Sequence, residues 1–281
     1  MSYEQILYEV HQRIATVTLN RPEKLNAWTR QMNREVQQAM VQAANDDSVY
    51  AIILTGAGRG FCAGADMDML SSISRSSDEA DSVMEARANT FKDGELKQRL
   101  NLPEVYTLRY TYFPSIPKPI VAGINGPAAG LGLVIPLYAD LRFAASSAVL
   151  MTAFSRRGLI AEHGSNWMLS RLVGLPRAMD LLLSSRKVTA QEALAMGLVN
   201  LVFPDASFAQ DVRAYVTDMV TYVSPRSMRI MKEQLYKTNY QGFYDSIQEG
   251  YDQVALSLRS DDFKEGVAHF REKRLPAFTG R

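Results

Sequence analysis

Cysteine is almost missing from this chain. Cys62 stands alone among 281 residues, which excludes an internal disulfide and any cysteine-cluster metal site. Histidine is nearly as scarce, and His11, His163 and His269 show no metal-ligand spacing. No apolar run approaches the roughly 20 residues of a membrane span. The opening MSYEQILYEV carries acidic residues and no long apolar core, so it reads as neither signal nor transit peptide and the expected location is the cytoplasm. Excess charge is absent too: 31 basic against 30 acidic side chains leave a formal net charge of +1. That balance argues against nucleic acid or an anionic membrane as the main partner.

What is present is an ordinary globular composition, 47% hydrophobic and 22% charged. The length suits one large domain, or one domain with a smaller appendage. The organising stretch is KPIVAGINGPAAGLGLVIPLYAD, from Lys118 to Asp140. Ile120 to Gly123 reads as a short buried strand, and Leu131 to Tyr138 as a buried helix that Pro136 kinks or ends early. Gly123, Gly126, Gly130 and Gly132 between and within them permit positive φ and close backbone approach. A helix that starts at such a turn aims unpaired N–H groups at whatever lies before it, a place for a phosphate or an oxyanion. Packing alone would also explain the glycines.

Upstream, Ile6 to Val10 and Ile14 to Leu19 predict a β-hairpin. Met32, Val36, Met40 and Ala43 share one face of a helix from about Thr29 to Ala44. Val49 to Thr55 reads as a buried parallel strand, followed by GAGRGFCAG and a short helix from Ala65 to Ser72. Ser71 to Asp81 lacks apolar periodicity and is expected as a mobile loop. Val83 to Phe113 reads as mostly helical, with Tyr106, Arg109 and Tyr110 on one face. Those residues would line a pocket or simply pack. Thr189 to Glu192 is a capping box and Gly197 a helix stop. Strand–helix units thus occupy 1–203, and an all-helical region occupies 204–281. Its amphipathic helices need the body, or another subunit, to bury their apolar faces.

The two glycine turns share a logic: each places backbone N–H groups at the end of a strand. Two such turns on neighbouring strands can direct two N–H groups at one carbonyl oxygen, with no catalytic side chain. FCAGADMDML, INGPAAGLGLVIPLYADLRFA and upstream RPEKLNA, together with GLIAEHG, SRLVG, TAQEALAMGLVNLV and SDDFKEGVAHFREKRLPAF, resemble the crotonase family of enoyl-CoA hydratases and isomerases. The resemblance covers essentially the whole chain. It implies an α/β spiral of ββα units with a C-terminal helical trimerisation region, assembled as a trimer or a pair of trimers. It also implies an acyl- or enoyl-coenzyme A substrate, the coenzyme being part of the thioester rather than a separate cofactor.

On the motif positions, the resemblance assigns the oxyanion-binding amides to Ala65 and Leu131. It assigns Lys24, Leu25, Ala27, Ala63, Asp66 and Met67 to the nucleotide and pantetheine, and Phe270 and Lys273 to a C-terminal helix that can reach a coenzyme A, sometimes a neighbour's. For Lys24 and Lys273 a solvated charge is the plain alternative. The acids separate the family's reactions. Where family hydratases carry two glutamates, this chain has Val134 and Phe154. The usual pair that activates water and delivers a proton is therefore missing. Glu162, in GLIAEHG, occupies a position resembling that of the single carboxylate of family isomerases. A lone carboxylate in an apolar pocket has a raised pKa and can take and return a proton; charge stabilisation of a helix start is its other reading. His163 is expected to point elsewhere, as a structural or rim residue. Asp140, Arg142 and Arg156 read as structural. Among unlike functions, a non-enzymatic acyl-CoA- or RNA-binding scaffold is the alternative, and the charge balance weighs against RNA.

Overall fold

A computed structural model describes residues 3–75, 90–91 and 94–281. The chain opens with the hairpin β1 (Ile6–His11) and β2 (Ile14–Leu19), paired antiparallel. Gln12 and Arg13 turn it with φ of +48° and +66°, the two left-handed residues that a tight hairpin matching strand twist requires. Helix α1 (Arg30–Asn45) begins where Thr29 Oγ1 accepts from Met32 N, and it buries Met32, Val36, Ala39, Met40 and Ala43. Each large apolar side chain so buried contributes about 1.5–3 kcal/mol. Strands β3 (Ala51–Gly56), β4 (Ile120–Ile124), β6 (Leu141–Ala145) and β9 (Leu201–Phe203) extend the sheet in parallel, in the order β1-β2-β3-β4-β6-β9. A second sheet joins β5 (Ala128–Ala129), β7 (Val149–Met151) and β8 (Val188–Thr189).

Short helices fill the connections: α2 (Met67–Arg75), α3 (Leu131–Leu137), α4 (Ser165–Val173), α5 (Leu175–Ser184) and α6 (Ala190–Ala195). Thr189 caps α6 by accepting from Glu192 N, and Gly197 follows at φ +80°. Four helices end the chain: α7 (Phe208–Tyr222), α8 (Pro225–Lys237), α9 (Phe243–Ser257) and α10 (Asp261–Glu272). Helix α8 is tied to the body by buried Lys232, which meets Asp140 at 2.8 Å and donates to the carbonyls of Phe113 and Lys118. Removing one partner of such a buried pair typically costs 3–5 kcal/mol. Arg142 donates to Leu198 O and Ala139 O, so Asp140 and Arg142 are structural, as expected; Arg156 is exposed.

Two expectations are corrected. Residues 71–75 continue α2 instead of opening a loop; the rest of the expected loop, 76–81, lies outside the described residues. Residues 94–113 are not a helix but irregular chain with short 3-10 turns at Glu104–Thr107 and from Phe113. Pro103 and Pro114 remove the amide hydrogens a continuous helix would use, and Tyr106 departs from helical geometry at ψ 20°. The expected helix over 83–89 falls outside the described residues.

Candidate active site

The sheet delivers two glycine turns side by side. Beyond β3, Asn125 Oδ1 accepts from Gly56 N, and buried Asn26 donates to Ala57 O and Gly60 O. Asn26 can do so because it and Leu25 adopt left-handed φ of +54° and +47°, a conformation asparagine tolerates better than most residues. The loop holding them is laced to the first turn by Ala63 N to Leu25 O, Trp28 N to Gly64 O and Asp66 N to Trp28 O. The second turn is laced on in the same way, Ala129 N donating to Cys62 O at 3.0 Å. Glycine is obligatory at these contacts. A Cβ on Gly132 would stand 2.0 Å from Cys62 O, and one on Gly64, itself at φ +104°, 2.8 Å from Ala129 O.

Ala65 follows Gly64, and Leu131 follows Gly130 as the first residue of α3. In the parallel bridge between Trp28 and Ala65, the bonds run through Gly64 and Asp66, so the Ala65 N–H is left out of the ladder. Leu131 N–H has no earlier turn to donate into. Among the described residues neither N–H has a hydrogen-bond acceptor. Two free N–H groups on abutting turns can jointly receive one oxygen that gains negative charge. Cys62, between them, is fully buried and its thiol is pushed up to about 12 by burial, so it is no nucleophile at neutral pH.

The acid lies beyond α3. Val134 and Phe154 are buried apolar residues, so neither position offers a proton acceptor. Glu162 sits in the turn before α4, its carbonyl accepting from Ser165 N, with about a third of its side chain exposed (34%). Burial raises its pKa. His163 does not point elsewhere: its Nε2 lies 3.6 Å from Glu162 Oε2, because His163 adopts φ +51° and the left-handed twist swings adjacent side chains together. Burial, and then the Arg109 charge, push His163 down to about 4. At 3.6 Å the two groups are beyond hydrogen-bond length, and burial drives both toward neutrality. His163 also packs against Tyr110, with ring centroids 4.3 Å apart and the planes tilted by 47°.

The expected tyrosine face does not form. Tyr106 packs edge-on against Tyr236 and Tyr240, Tyr112 against Phe91 and Phe113, and only Tyr110, with Arg109 over its ring, reaches His163. Without a continuous helix there is no three-and-four spacing to align them.

Of the residues expected to hold the coenzyme, Leu25, Ala27 and Ala63 are gathered half-buried where the two loops meet, with Lys24 exposed beside them and Met67 exposed at the start of α2. Asp66 differs: its carboxylate is engaged internally, with Arg21 at 2.9 Å and with Asp68 N, and those contacts outweigh burial to lower its pKa. Phe270 (80% exposed) and Lys273 are on or just past α10, whose first turn is tied to the end of the chain by Asp262. That end reaches Tyr50, just before β3, through Phe278 O. The glycine turn follows the opposite end of the six-residue β3, about 20 Å away. Among the described residues no hydrogen bond, ion pair or ring contact joins Phe270 or Lys273 to the loop of Lys24. Sequence reasoning missed Tyr138, whose hydroxyl donates to His163 O. Its one signal was a lone hydroxyl within the apolar run LGLVIPLYA.

A sequence model described as enoyl-CoA hydratase/isomerase matches residues 9–281. The chain is 32% identical over 278 residues to a 1,2-epoxyphenylacetyl-CoA isomerase of Escherichia coli K12, covering 99% of both chains. It is 36% identical over 294 residues to a Rhodobacter capsulatus protein named as a probable enoyl-CoA hydratase, covering 100% of both. Among solved structures, that of an enoyl-CoA hydratase from Bacillus anthracis matches with a TM-score of 0.85 at 26% identity, covering 99% of this chain and 100% of that one.

Proposed function

Starting from a chain that belongs to the enoyl-CoA hydratase/isomerase family, we propose that it shifts a double bond in an enoyl-CoA thioester, with Glu162 as the only acid/base. The observation that carries this reading is a half-buried carboxylate, alone in its raised pKa among the carboxylates of the described residues, where the two positions that could supply a second are buried valine and phenylalanine. In the first step the Glu162 carboxylate takes the α-proton of a β,γ-enoyl thioester. The C–H electron pair moves into the Cα–C1 bond, and the carbonyl pair moves onto oxygen. The N–H groups of Ala65 and Leu131 hold that oxyanion. In the second step the Cβ–Cγ π pair takes the proton back from Glu162 at the γ-carbon, the C1–Cα π pair shifts to form the α,β double bond, and the oxyanion pair re-forms the carbonyl. One carboxylate suffices because proton removal and return occur on one face.

In this reading the coenzyme lies along Lys24, Leu25, Ala27, Ala63 and Met67 as part of the substrate, and no separate cofactor takes part. Residues 1–203 carry the site, and 204–281 build a trimer or a pair of trimers in the cytoplasm, with neither nucleic acid nor membrane as partner. The assembly is supported by Leu235, Phe243, Tyr244 and Tyr251, 70%, 84%, 72% and 68% exposed in the single chain. Large apolar side chains exposed in one chain are the kind that association buries. Phe270 and Lys273 would then serve a neighbour's coenzyme. Sedimentation equilibrium at monomer mass at micromolar concentration would refute the assembly.

The reaction is tested with a 3-enoyl-CoA and a 2-enoyl-CoA. The expected result is conjugation of the first, with hydration of the second far slower. Glu162→Gln should lower conjugation by about 10²- to 10⁴-fold, roughly 3–5 kcal/mol of barrier, with thioester affinity nearly unchanged. Rapid hydration without conjugation overturns isomerisation and makes Glu162 an activator of water. Full activity in the variant removes Glu162 from the chemistry.

A further inference from the structure

We infer that Tyr138 is a positioning residue: its hydroxyl clamps the turn carrying Glu162 to the far end of the helix whose first amide belongs to Leu131. Tyr138 directly follows α3, and its own N–H donates to Ile135 O and Pro136 O. The ring is buried and the hydroxyl donates to His163 O. The turn it reaches needs holding. His163 and Gly164 are consecutive left-handed residues, at φ +51° and +69°, a conformation unfavourable by about 1–2 kcal/mol for a residue with a Cβ such as His163. That twist brings His163 against Glu162. Gly164 is shaped for the clamp: a Cβ there would stand 2.6 Å from the Tyr138 hydroxyl but 4.0 Å from its Cζ. The hydroxyl therefore occupies the space the glycine leaves. One side chain thus links the two halves of the site.

This inference rests on the proposed role of Glu162, since a clamp on an idle carboxylate would have no kinetic consequence. Tyr138→Phe keeps the ring and releases the turn. Its expected effect is a fall in kcat for 3-enoyl-CoA conjugation of about 10- to 100-fold, the penalty of a misplaced catalytic group, with KM within about twofold. Gly164→Ala pushes the hydroxyl away from the turn and should lower kcat in the same way. Because both changes act on one contact, the double variant should be no slower than the slower single one. Tyr236→Phe removes the neighbouring hydroxyl that reaches Tyr138 O at 3.4 Å and serves as the control for simple loosening of the structure; its kcat should stay at the wild-type value. Wild-type kcat in Tyr138→Phe, additive losses in the double variant, or an equal loss in Tyr236→Phe each overturns the clamp. Those outcomes are distinct from full activity in Glu162→Gln, which overturns the reading beneath it.

Discussion

The two halves of the site are built from different materials. The glycine half is mainly backbone: the turns after β3 and β4 are bonded to each other and to the loop of Asn26 by main-chain hydrogen bonds, with the Asn26 and Asn125 side chains as struts, and its two free donors are the amides of Ala65 and Leu131. The acid half rests mainly on side chains: Glu162 against His163, His163 against Tyr110, Tyr138 holding the turn by its backbone carbonyl. A backbone site tolerates changes of side chain but no added Cβ where backbones touch. A side-chain site tolerates small steric changes but depends on the identity of a few groups.

The largest test breaks the glycine half. Gly132→Ala would place a Cβ 2.0 Å from Cys62 O and 2.8 Å from Cys62 C. Both are main-chain atoms locked in the ladder, so no rotamer change relieves the clash. The expected loss is about 3 kcal/mol of stability or more, read by urea unfolding at fixed protein concentration, together with loss of every thioester reaction. Gly164→Ala is the counterpart in the acid half, where the clashing atom is the far end of a tyrosine. It should fold and lose chiefly kcat. If Gly132→Ala keeps wild-type stability, the two turns are not pressed together and the contrast fails.

A smaller test uses pH, to which only the acid half should respond. Glu162 has a raised folded pKa, so its contribution to stability is present below its unfolded value and is lost as pH rises through the folded one. His163 is depressed from 6.5 to about 4. Its contribution is complete above pH 6.5 and is lost as pH falls through about 4. Near pH 5 the histidine dominates, with at most about 2 kcal/mol of destabilisation relative to pH 7, reduced by its partial exposure. His163→Gln should therefore lose less stability than the wild type between pH 7 and pH 5 in urea unfolding. Equal losses would mean that His163 is already solvated. Over the same range, conjugation should fall as Glu162 takes up its proton, with the acid limb above the ordinary carboxylate value.

How much of this was legible in the sequence follows the same division. Backbone features leave local marks. The hairpin, the Thr189–Glu192 cap, the Gly197 stop and both glycine turns were readable because glycine and capping residues report φ and hydrogen bonding directly. In the acid half the motif around Glu162 singled it out as a candidate, but its surroundings left no mark in the sequence. That His163 turns toward Glu162 depends on a left-handed φ at a non-glycine residue, which tertiary contacts impose. The partners Tyr110 and Tyr138 come from 53 and 25 residues away along the chain (163 − 110 and 163 − 138). The aromatics of 106–112 mimicked helical spacing, yet prolines on either side and packing to α8 and beyond sent Tyr106 and Tyr110 in different directions.

The smallest test asks whether the glycine half uses any side chain on the substrate. Lys24 is its one exposed cation of proposed function, at the end of the 3-10 turn Pro22–Lys24, whose bonding to Leu25 and Ala27 fixes its Cα. No hydrogen bond or ion pair to its ammonium is present among the described residues. Contact with a coenzyme phosphate would be solvent-exposed and screened, and such a contact is worth about 1 kcal/mol or less, a factor of about five in KM. Lys24→Ala should therefore raise KM for a coenzyme A thioester by up to about fivefold at low salt, and by less as ionic strength rises. The same acyl group on N-acetylcysteamine, which has no phosphate, should show no change in kcat/KM. Equal losses on both thioesters would mean that Lys24 supports the loop itself. No loss on either would leave a solvated charge, and the glycine half would meet the substrate without a cation.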